Sequence, residues 1–302
     1  MRQRAFMEAS TMVRNTLTTW RLTAAIVSAL LLGASAEAEE ARQIVLKRLL
    51  NVSNVVFAGE VVRVDEVSFP DVPAMSPTVV MRIDAVFEKG EIEALEQGDF
   101  VTVEAHGLNL LRQGVYATVF ALSWIVGDGI AVREVSSEIH LKQLAADDIQ
   151  RLGTEIRAAQ EHLQMDRLRA HIRAADIIVV GRVAEVRSPL MAAGAERRPM
   201  RITEHDPYWQ EAVITVEKKL KGAAQMERVV VRFPSSIDVM WHAVPKLKQG
   251  QEGTFLLRAD KRTGLPRMAM LQGAEVTAFT ALDKLSVLSK ADSRRVEDLL
   301  KQ

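Results

Sequence analysis

Residues 54–64 read NVVFAGEVVRV, and residues 176–186, 122 positions later, read DIIVVGRVAEV. Both stretches are apolar, rich in β-branched residues and of strand length, with one glycine at the same place, Gly59 or Gly181. Such runs favour β-strands, and a glycine inside a strand usually marks a bulge or a sharp bend. We therefore expect one fold to be present twice, each copy opening on a bent first strand of a small barrel.

Further strand-like runs follow at matching places in each copy. Turn signals separate them, including Gly114 and Gly250, which each precede the fourth run. In the first copy the runs are residues 79–87, 100–105, 115–124 and 130–135, and in the second they are 213–220, 229–233, 254–258 and 267–271. The pattern predicts a mainly β protein with flanking helices, built as two tandem five-stranded antiparallel barrels.

Helical patterns bracket the strands. Basic segments at residues 41–50 and 166–174 precede the two opening strands, and a capping-box pattern at Asp147 starts a helix that joins the copies. Leucines from Leu282 onward predict a second closing helix. The expected domains are a signal peptide (1–38), a first barrel (39–146), a connecting helix (147–165), and a second barrel with a C-terminal helix (166–302).

The first 38 residues have the pattern of a secretory signal peptide: four arginines, an apolar core at 22–32, and small residues around Ala36. Met12 is an alternative start that would shorten the leader. The apolar core is about half the ~20 residues that a membrane-spanning helix needs, so no stable insertion is expected after cleavage. The expected location is the periplasm or the outside of the cell.

Composition narrows the function classes. The chain has no cysteine, which excludes disulfides, thiolate chemistry and a lipid anchor on an N-terminal cysteine. Without residues 1–38 it loses four basic and two acidic side chains and carries a net charge near −2. That balance lacks the basic footprint of a nucleic-acid-binding protein. A content of 48% apolar residues is enough to build cores without disulfides.

The opening of the second copy resembles netrin-like modules. The resemblance lies in residues 175–183, ADIIVVGRV, and in a second strand ending VEKKLKG at 216–222; the first copy keeps NVVFAGEV and FEKG. Netrin-like modules are barrels related in shape to OB-folds and include the tissue inhibitors of metalloproteinases. The resemblance implies two OB-like barrels. The inhibitors chelate a proteinase zinc through an N-terminal cysteine, and that mechanism does not carry over to this chain.

Chemical motifs are sparse. The sequence contains no nucleophile elbow, zinc-protease helix, phosphate-binding glycine loop or calcium loop, and we expect no cofactor. The histidines are scattered, and His162 and His171 are expected at surface or boundary positions of helices. His106 and His242 both follow a third strand at the same distance from the matched glycines, which indicates either a shared structural hydrogen bond or a repeated site.

Polar and aromatic groups concentrate between the first two strands of the second copy, in a segment about eleven residues longer than its counterpart. In OB-like barrels this loop borders the usual binding face. The alternative is a solvated loop whose aromatics pack on the barrel. Residues 204–206, Glu-His-Asp, form a further candidate metal corner. The candidate binding residues are Arg197, Arg198, Arg201, His205, Tyr208 and Trp209.

Two function classes remain open. The first is a non-catalytic binding protein of the cell envelope that engages a protein or polysaccharide through the second copy. The second is a periplasmic hydrolase that uses acidic and histidine residues of the second copy. The missing catalytic signatures favour the first class.

Overall fold

The computed structural model of the protein describes residues 36–73, 77–90, 92–105, 110–127, 129–189, 205–222 and 225–302. Within these residues the chain is mainly β, with twelve strands in two sheets and three α-helices. It divides into unit one, residues 1–164, and unit two, residues 165–302. The predicted mainly β class with flanking helices is confirmed.

Unit one contains the five predicted strands. Their order is β1-β2-β3-β5-β4, and β4 pairs with β1 again, so the sheet closes on itself. β3 and β5 are parallel, which departs from the all-antiparallel prediction; the other neighbouring pairs are antiparallel. The elements are α1 (Ala36–Val52), β1 (Val55–Val64), β2 (Thr78–Glu88), β3 (Phe100–Glu104), β4 (Tyr116–Val126), β5 (Ile130–His140) and the first part of α2 (Ala146–Ala174).

Unit two carries a seven-stranded sheet, so the prediction of five strands was incomplete. Its order is β10-β11-β8-β7-β6-β9-β12, with a further pairing between β11 and β9. After the last part of α2, the elements are β6 (Ile177–Arg187), β7 (Trp209–Lys221), β8 (Arg228–Pro234), β9 (Glu252–Ala259), β10 (Met268–Leu271), β11 (Ala274–Thr280), β12 (Val287–Leu288) and α3 (Ser293–Leu300), with 3-10 turns at Lys284–Ser286 and Lys290–Asp292.

The fifth strand of unit two differs from the predicted one. Residues 267–271 were expected to fill that place, but β10 lies at the sheet edge, paired with β11. It is β11 that runs parallel to β8 and antiparallel to β9. The cause is a tight turn at Gln272 and Gly273, with φ of 53° and 82°, which folds β10 back on β11. β6, β7, β8, β11 and β9 thus repeat the ring of pairings of unit one.

The two opening glycines mark bulges, as predicted. The register of β1 against β2 shifts between Ala58 and Gly59, and that of β6 against β7 shifts between Val180 and Gly181. A bulge increases the local bend and twist of a strand, which a sheet that closes on few strands requires.

Individual hydrogen bonds repeat as well. Gly114 N donates to Val61 O, and Gly250 N donates to Val183 O, each at 2.8 Å. At the start of the opening strand, Asn54 Oδ1 accepts from Ser123 N at 2.8 Å. The equivalent Asp176 Oδ2 accepts from Ala259 N at 2.7 Å. The sequence repeat is therefore also a repeat of backbone geometry.

Each unit buries one apolar cluster inside its sheet and a second cluster under helices. In unit one, α1 and the first part of α2 cover Val56 and Phe120, which pair across β1 and β4. In unit two, the last part of α2 and α3 cover the equivalent pair, Ile178 and Leu256. α2 is one helix, where the sequence predicted a connecting helix followed by a separate basic segment. Among the described residues, no helix is both long and apolar enough to cross a membrane.

Candidate functional site

The predicted binding residues fall in two groups. Arg197, Arg198 and Arg201 lie outside the described residues, so the structure says nothing of their positions. His205, Tyr208 and Trp209 lie where the loop between β6 and β7 re-enters the sheet. The backbone conformation at residues 205–209 decides which of these side chains are exposed to a partner.

Tyr208 is held outward by its backbone. Its φ of 48° lies in the left-handed region, which is uncommon for a residue with a side chain. Asp206 Oδ1 accepts from Tyr208 N at 2.9 Å, and Ser235 Oγ donates to Tyr208 O at 2.7 Å. The side chain remains 58% exposed. The expectation that it folds onto the barrel is therefore wrong for Tyr208.

Trp209 has a structural role. Its ring meets that of Trp241 edge to face, with centroids 5.6 Å apart and planes at 68°. The indole Nε1 of Trp241 donates to His205 O at 2.9 Å. An edge-to-face pair of this kind stabilises packing beyond the area that it buries. Trp209 and Trp241 thus join the β6–β7 loop to the loop between β8 and β9.

That second loop carries a surface that the sequence interpretation missed, residues 237–241, called here the apolar turn. Ile237 is 89% exposed, Val239 72% and Met240 61%. The turn is closed by a hydrogen bond of 2.8 Å from Trp241 N to Asp238 O. A run of large apolar residues outside any strand pattern, between Pro234 and Pro245, was the available signal.

Polar contacts fix the apolar turn. Asp238 Oδ1 accepts from Met240 N at 2.9 Å and from His205 Nδ1 at 3.0 Å. These bonds, the backbone one first, hold the pKa of Asp238 below its ordinary value. Lys246 Nζ donates to Trp241 O at 2.8 Å. Burial lowers the pKa of this lysine. The apolar turn is therefore an exposed segment with a fixed conformation, and its one acidic side chain, Asp238, accepts hydrogen bonds from His205 and Met240.

A buried ion network is centred on Arg232, close to the end of β8 from which this loop leaves, and the sequence interpretation missed it. Arg232 on β8 is 1% exposed. Its guanidinium donates to Glu211 Oε1 at 3.2 Å and to Asp260 Oδ2 at 2.7 Å. It also donates to the carbonyls of Pro266 at 2.5 Å and Met268 at 3.3 Å.

A second arginine completes the network. Arg187 donates to the carbonyl of Met270, and its Nε lies 3.6 Å from Glu211 Oε2. The two arginines thus take carbonyls that a neighbouring strand would use, which protects the β10 edge from pairing with another chain. Burial raises the pKa of Asp260, but hydrogen bonds from Thr263 and Arg232 lower it more, and the net pKa is below the ordinary value. The ion pair between Arg232 and Asp260 therefore joins β8 to the loop that follows β9.

The outer face of the sheet shows how the two units differ. In unit one, Thr102 on β3 pairs with Ala131 on β5, and the β1–β2 loop covers them. Phe69 and Val72 of that loop pack on Ala131, and Ser68 N donates to Thr102 Oγ1 at 2.8 Å. The loop between the first two strands is therefore part of the packing of unit one.

In unit two the same position is covered by a different segment. The equivalent pair is Val230 on β8 and Ala278 on β11. Ala269, Leu271 and Val276 of the β10–β11 hairpin pack on it. Among the described residues, the segment that covers this face of unit two is therefore the β10–β11 hairpin, where unit one uses the loop between its first two strands.

The candidate metal residues turn to separate partners. His205 bonds Asp238, Asp206 accepts from Tyr208, and Glu204 lies outside the described residues. His242 Nδ1 donates to Val239 O at 2.7 Å, a bond within its own turn. Its proposed counterpart His106 is likewise outside the described part of the chain, so their equivalence stays a prediction. Across the described ranges no three His, Asp or Glu side chains converge to hold a metal ion.

Comparison of the chain with protein-family models and with curated proteins finds no match in either.

Proposed function

We propose that the protein is an exported, non-catalytic binding protein of the cell envelope, built from two tandem OB-like barrels. Its second unit engages a protein or polysaccharide through a partner face formed by Tyr208, His205 and the β6–β7 loop, including Arg197, Arg198 and Arg201. Each unit has a ring of five paired strands in which the third and fifth strands, counted along the chain, are parallel neighbours: β3 with β5, and β8 with β11. This shared arrangement supports the OB-like assignment.

The netrin-like resemblance remains part of this proposal. Two glycines that carry it, Gly90 and Gly222, both have positive φ, 57° and 67°. In each copy a Cβ here would collide with the carbonyl of the residue just before the first strand, Asn54 or Asp176. These glycines therefore have the same steric role in both copies, which supports a shared module.

The exchange of covering segments is the observation that carries the binding function. Unit one uses its β1–β2 loop to bury the outer face of its sheet, whereas unit two uses the β10–β11 hairpin. In unit two the hairpin thus occupies the face that the loop between the first two strands covers in unit one, and the described end of the β6–β7 loop carries an exposed aromatic in a strained conformation. Exposed loop residues of this kind on a rigid scaffold are typical of binding sites.

The test compares two neighbouring aromatics. Tyr208→Ala should weaken capture of an envelope partner by ~1–3 kcal/mol with the melting temperature nearly unchanged, because the exposed ring contacts a partner and not the core. Trp209→Ala should lower the melting temperature, because it removes the contact with Trp241. Capture by immobilised protein from envelope extract, measured beside thermal melting, separates the two effects. If Tyr208→Ala leaves capture unchanged, the partner face is wrongly placed.

Export is tested separately. The charged leader and the small residues before Glu37 and Glu39 motivate it, and cleavage there would release a chain that begins at α1. Mass spectrometry of the N-terminus of protein from a periplasmic fraction should find one of these two starts. An intact leader on the mature protein would overturn the assignment.

The hydrolase alternative has one supporting observation, the hydrogen bond between His205 Nδ1 and Asp238 Oδ1. A carboxylate that orients an imidazole is one part of a general-base arrangement. Asp238→Asn would abolish hydrolysis of an ester or peptide substrate if this pair were catalytic. Under the binding function it weakens the apolar turn and the hold on His205, and there is no hydrolysis to lose.

A further inference from the structure

The apolar turn adjoins the partner face, to which the bond between His205 and Asp238 joins it, but its aliphatic side chains are not part of that face. Its three aliphatic side chains, Ile237, Val239 and Met240, belong to one closed turn. Large exposed apolar groups on a soluble domain mark a contact with a partner or a membrane. Hydrogen bonds hold the turn in this conformation, so the exposure of its apolar side chains is a fixed feature of the fold.

Shape favours a bilayer over a folded protein as the occupant. The exposures of Ile237 and Val239 mean that few neighbouring atoms surround them, so they stand out as a convex tip. A protein interface needs a complementary hollow and a packed core. Acyl chains need no such complement, and aliphatic side chains are what they accept best.

The residues next to the tip also favour a bilayer as the binding partner. Trp241, the last residue of the turn, and Trp209, which packs against it, are both half-buried. Tryptophan is enriched at the headgroup level of membranes, where its N–H finds a polar partner. Lys248 follows along the chain and is exposed, and long lysine side chains reach lipid phosphates while their stems stay apolar, whereas Lys246 is held by the carbonyl of Trp241.

Charge selects the class of lipid. Residues 235–250 contain one acid, Asp238, against Lys246, Lys248 and His242. The carboxylate of Asp238 already accepts bonds from His205 and Met240. The segment that carries the tip therefore has more basic than acidic groups, with Lys248 exposed, and basic groups near a membrane are attracted to a negatively charged surface.

We propose that the apolar turn docks the protein reversibly on an anionic phospholipid bilayer, with Ile237, Val239 and Met240 entering the acyl-chain boundary and Lys248 meeting lipid phosphates. The inference relies on the proposed function only for export, which brings the protein next to a membrane. It would orient the partner face close to the bilayer surface.

The test uses a chain that begins at Ala36, so that the leader cannot bind lipid and every described element is kept. Vesicles of phosphatidylcholine mixed with phosphatidylglycerol should sediment this chain, vesicles of phosphatidylcholine alone should sediment much less, and added salt should weaken the association. The double variant Val239→Ser with Met240→Ser should reduce the bound fraction roughly tenfold, since two apolar side chains leave the bilayer.

Matched controls separate this from a folding effect. Leu141→Ser removes a fully exposed leucine from unit one and should leave vesicle binding unchanged. Lys248→Glu should reduce binding to the anionic vesicles and not to the neutral ones. Thermal melting of each variant should match the parent, because the changed side chains contact little of the fold.

Two results overturn the inference: a parent chain that does not sediment with anionic vesicles, or a double variant that sediments as the parent does. If the double variant instead loses capture of an envelope protein in the absence of lipid, the turn is a protein-docking site and the lipid assignment is wrong. Tyr208→Ala acts on partner capture alone, so failure of the partner face is seen separately from failure of lipid docking.

Discussion

At the scale of single residues, Gly59 and Gly181 show why the opening strands repeat. A Cβ at either position would overlap a backbone carbonyl of the neighbouring strand, that of Arg82 or of Thr215. The overlap involves backbone and not a flexible side chain, so neither strand can yield without breaking its ladder. Glycine is required here for close approach at a bulge.

We predict that Gly181→Ala lowers the free energy of unfolding by ~1–3 kcal/mol, the range for overpacking against rigid neighbours. Gly59→Ala should behave alike. Gly127→Ala is the control, since nothing lies within 4 Å of a Cβ at that position, and it should change stability by less than ~0.5 kcal/mol. Urea unfolding measures all three, and equal stabilities for Gly181→Ala and the control would contradict the steric argument.

His171 shows how packing changes the character of a helix residue. The sequence placed it at a surface or boundary position, but only 8% of it is exposed. Its Nε2 lies 3.4 Å from Ser286 Oγ. Burial lowers its pKa, with Asp283 opposing this and Arg258 adding to it. His140 on β5 has a lowered pKa for the same first reason.

A buried neutral histidine makes stability depend on pH. Because the folded pKa lies below the unfolded value of ~6.5, the unfolded chain binds more protons once the pH falls through that value. The unfolding free energy should therefore be highest above pH ~6.5 and decline toward pH ~5, by at most ~1.4 kcal/mol per pH unit for each group. His171→Gln should flatten the decline, while His162→Gln, at an exposed position of the same helix, should not. Urea unfolding at several pH values checks this; equal slopes would contradict it.

At the scale of elements, the end of α2 is held by a strand residue. Lys221 Nζ, at the end of β7, donates to the carbonyls of Ile172 and Arg173 at 3.0 Å and of Ala175 at 2.6 Å. The last carbonyls of a helix have no partner within it, and a cation there also favours the helix dipole. One side chain thus fixes where the helix ends and the opening strand of unit two begins.

We expect Lys221→Met to cost ~1–2 kcal/mol of stability, because charge-assisted hydrogen bonds to these carbonyls are lost while the apolar stem is kept. Lys261→Met, at an exposed loop position, is the matched control. Hydrogen exchange should show faster amide exchange in the last turn of α2 for Lys221→Met. Unchanged protection there, with or without a change in melting temperature, would show that the lysine does not secure the helix end.

At the scale of the whole molecule, the two units repeat one plan with different coverings. Each has an apolar cluster inside its sheet and another beneath its helices. The repeat includes register shifts, strand pairings and loop hydrogen bonds. Such complete local repetition is typical of units that can fold by themselves.

Expression of residues 36–164 and 165–302 as separate chains should therefore give two folded, β-rich proteins. Each retains its own buried clusters and its share of α2. Circular dichroism and cooperative urea unfolding would verify this. If neither piece unfolds cooperatively, the chain has one shared core and the boundary is wrong.

The sequence by itself determined the repeat, the bulged glycines, the five strands of unit one and the mainly β class. These features depend on interactions between residues close in sequence. β-Branched runs favour extended backbone, and a glycine at the same place in both copies indicates a position where a Cβ does not fit. It also singled out Tyr208 and Trp209, because an added aromatic segment within a duplicated plan is visible without coordinates.

Only the tertiary structure decided which aromatic is exposed, which strand closes unit two, and what covers each sheet. Tyr208 and Trp209 are adjacent, but a left-handed backbone turns one outward while Trp241, 32 positions away, packs on the other. Arg187 and Arg232 donate to backbone carbonyls of β10. The charge of the buried Arg232 is compensated by Asp260, which comes from another loop. These outcomes depend on contacts between distant segments, and local sequence patterns do not specify which distant groups will meet.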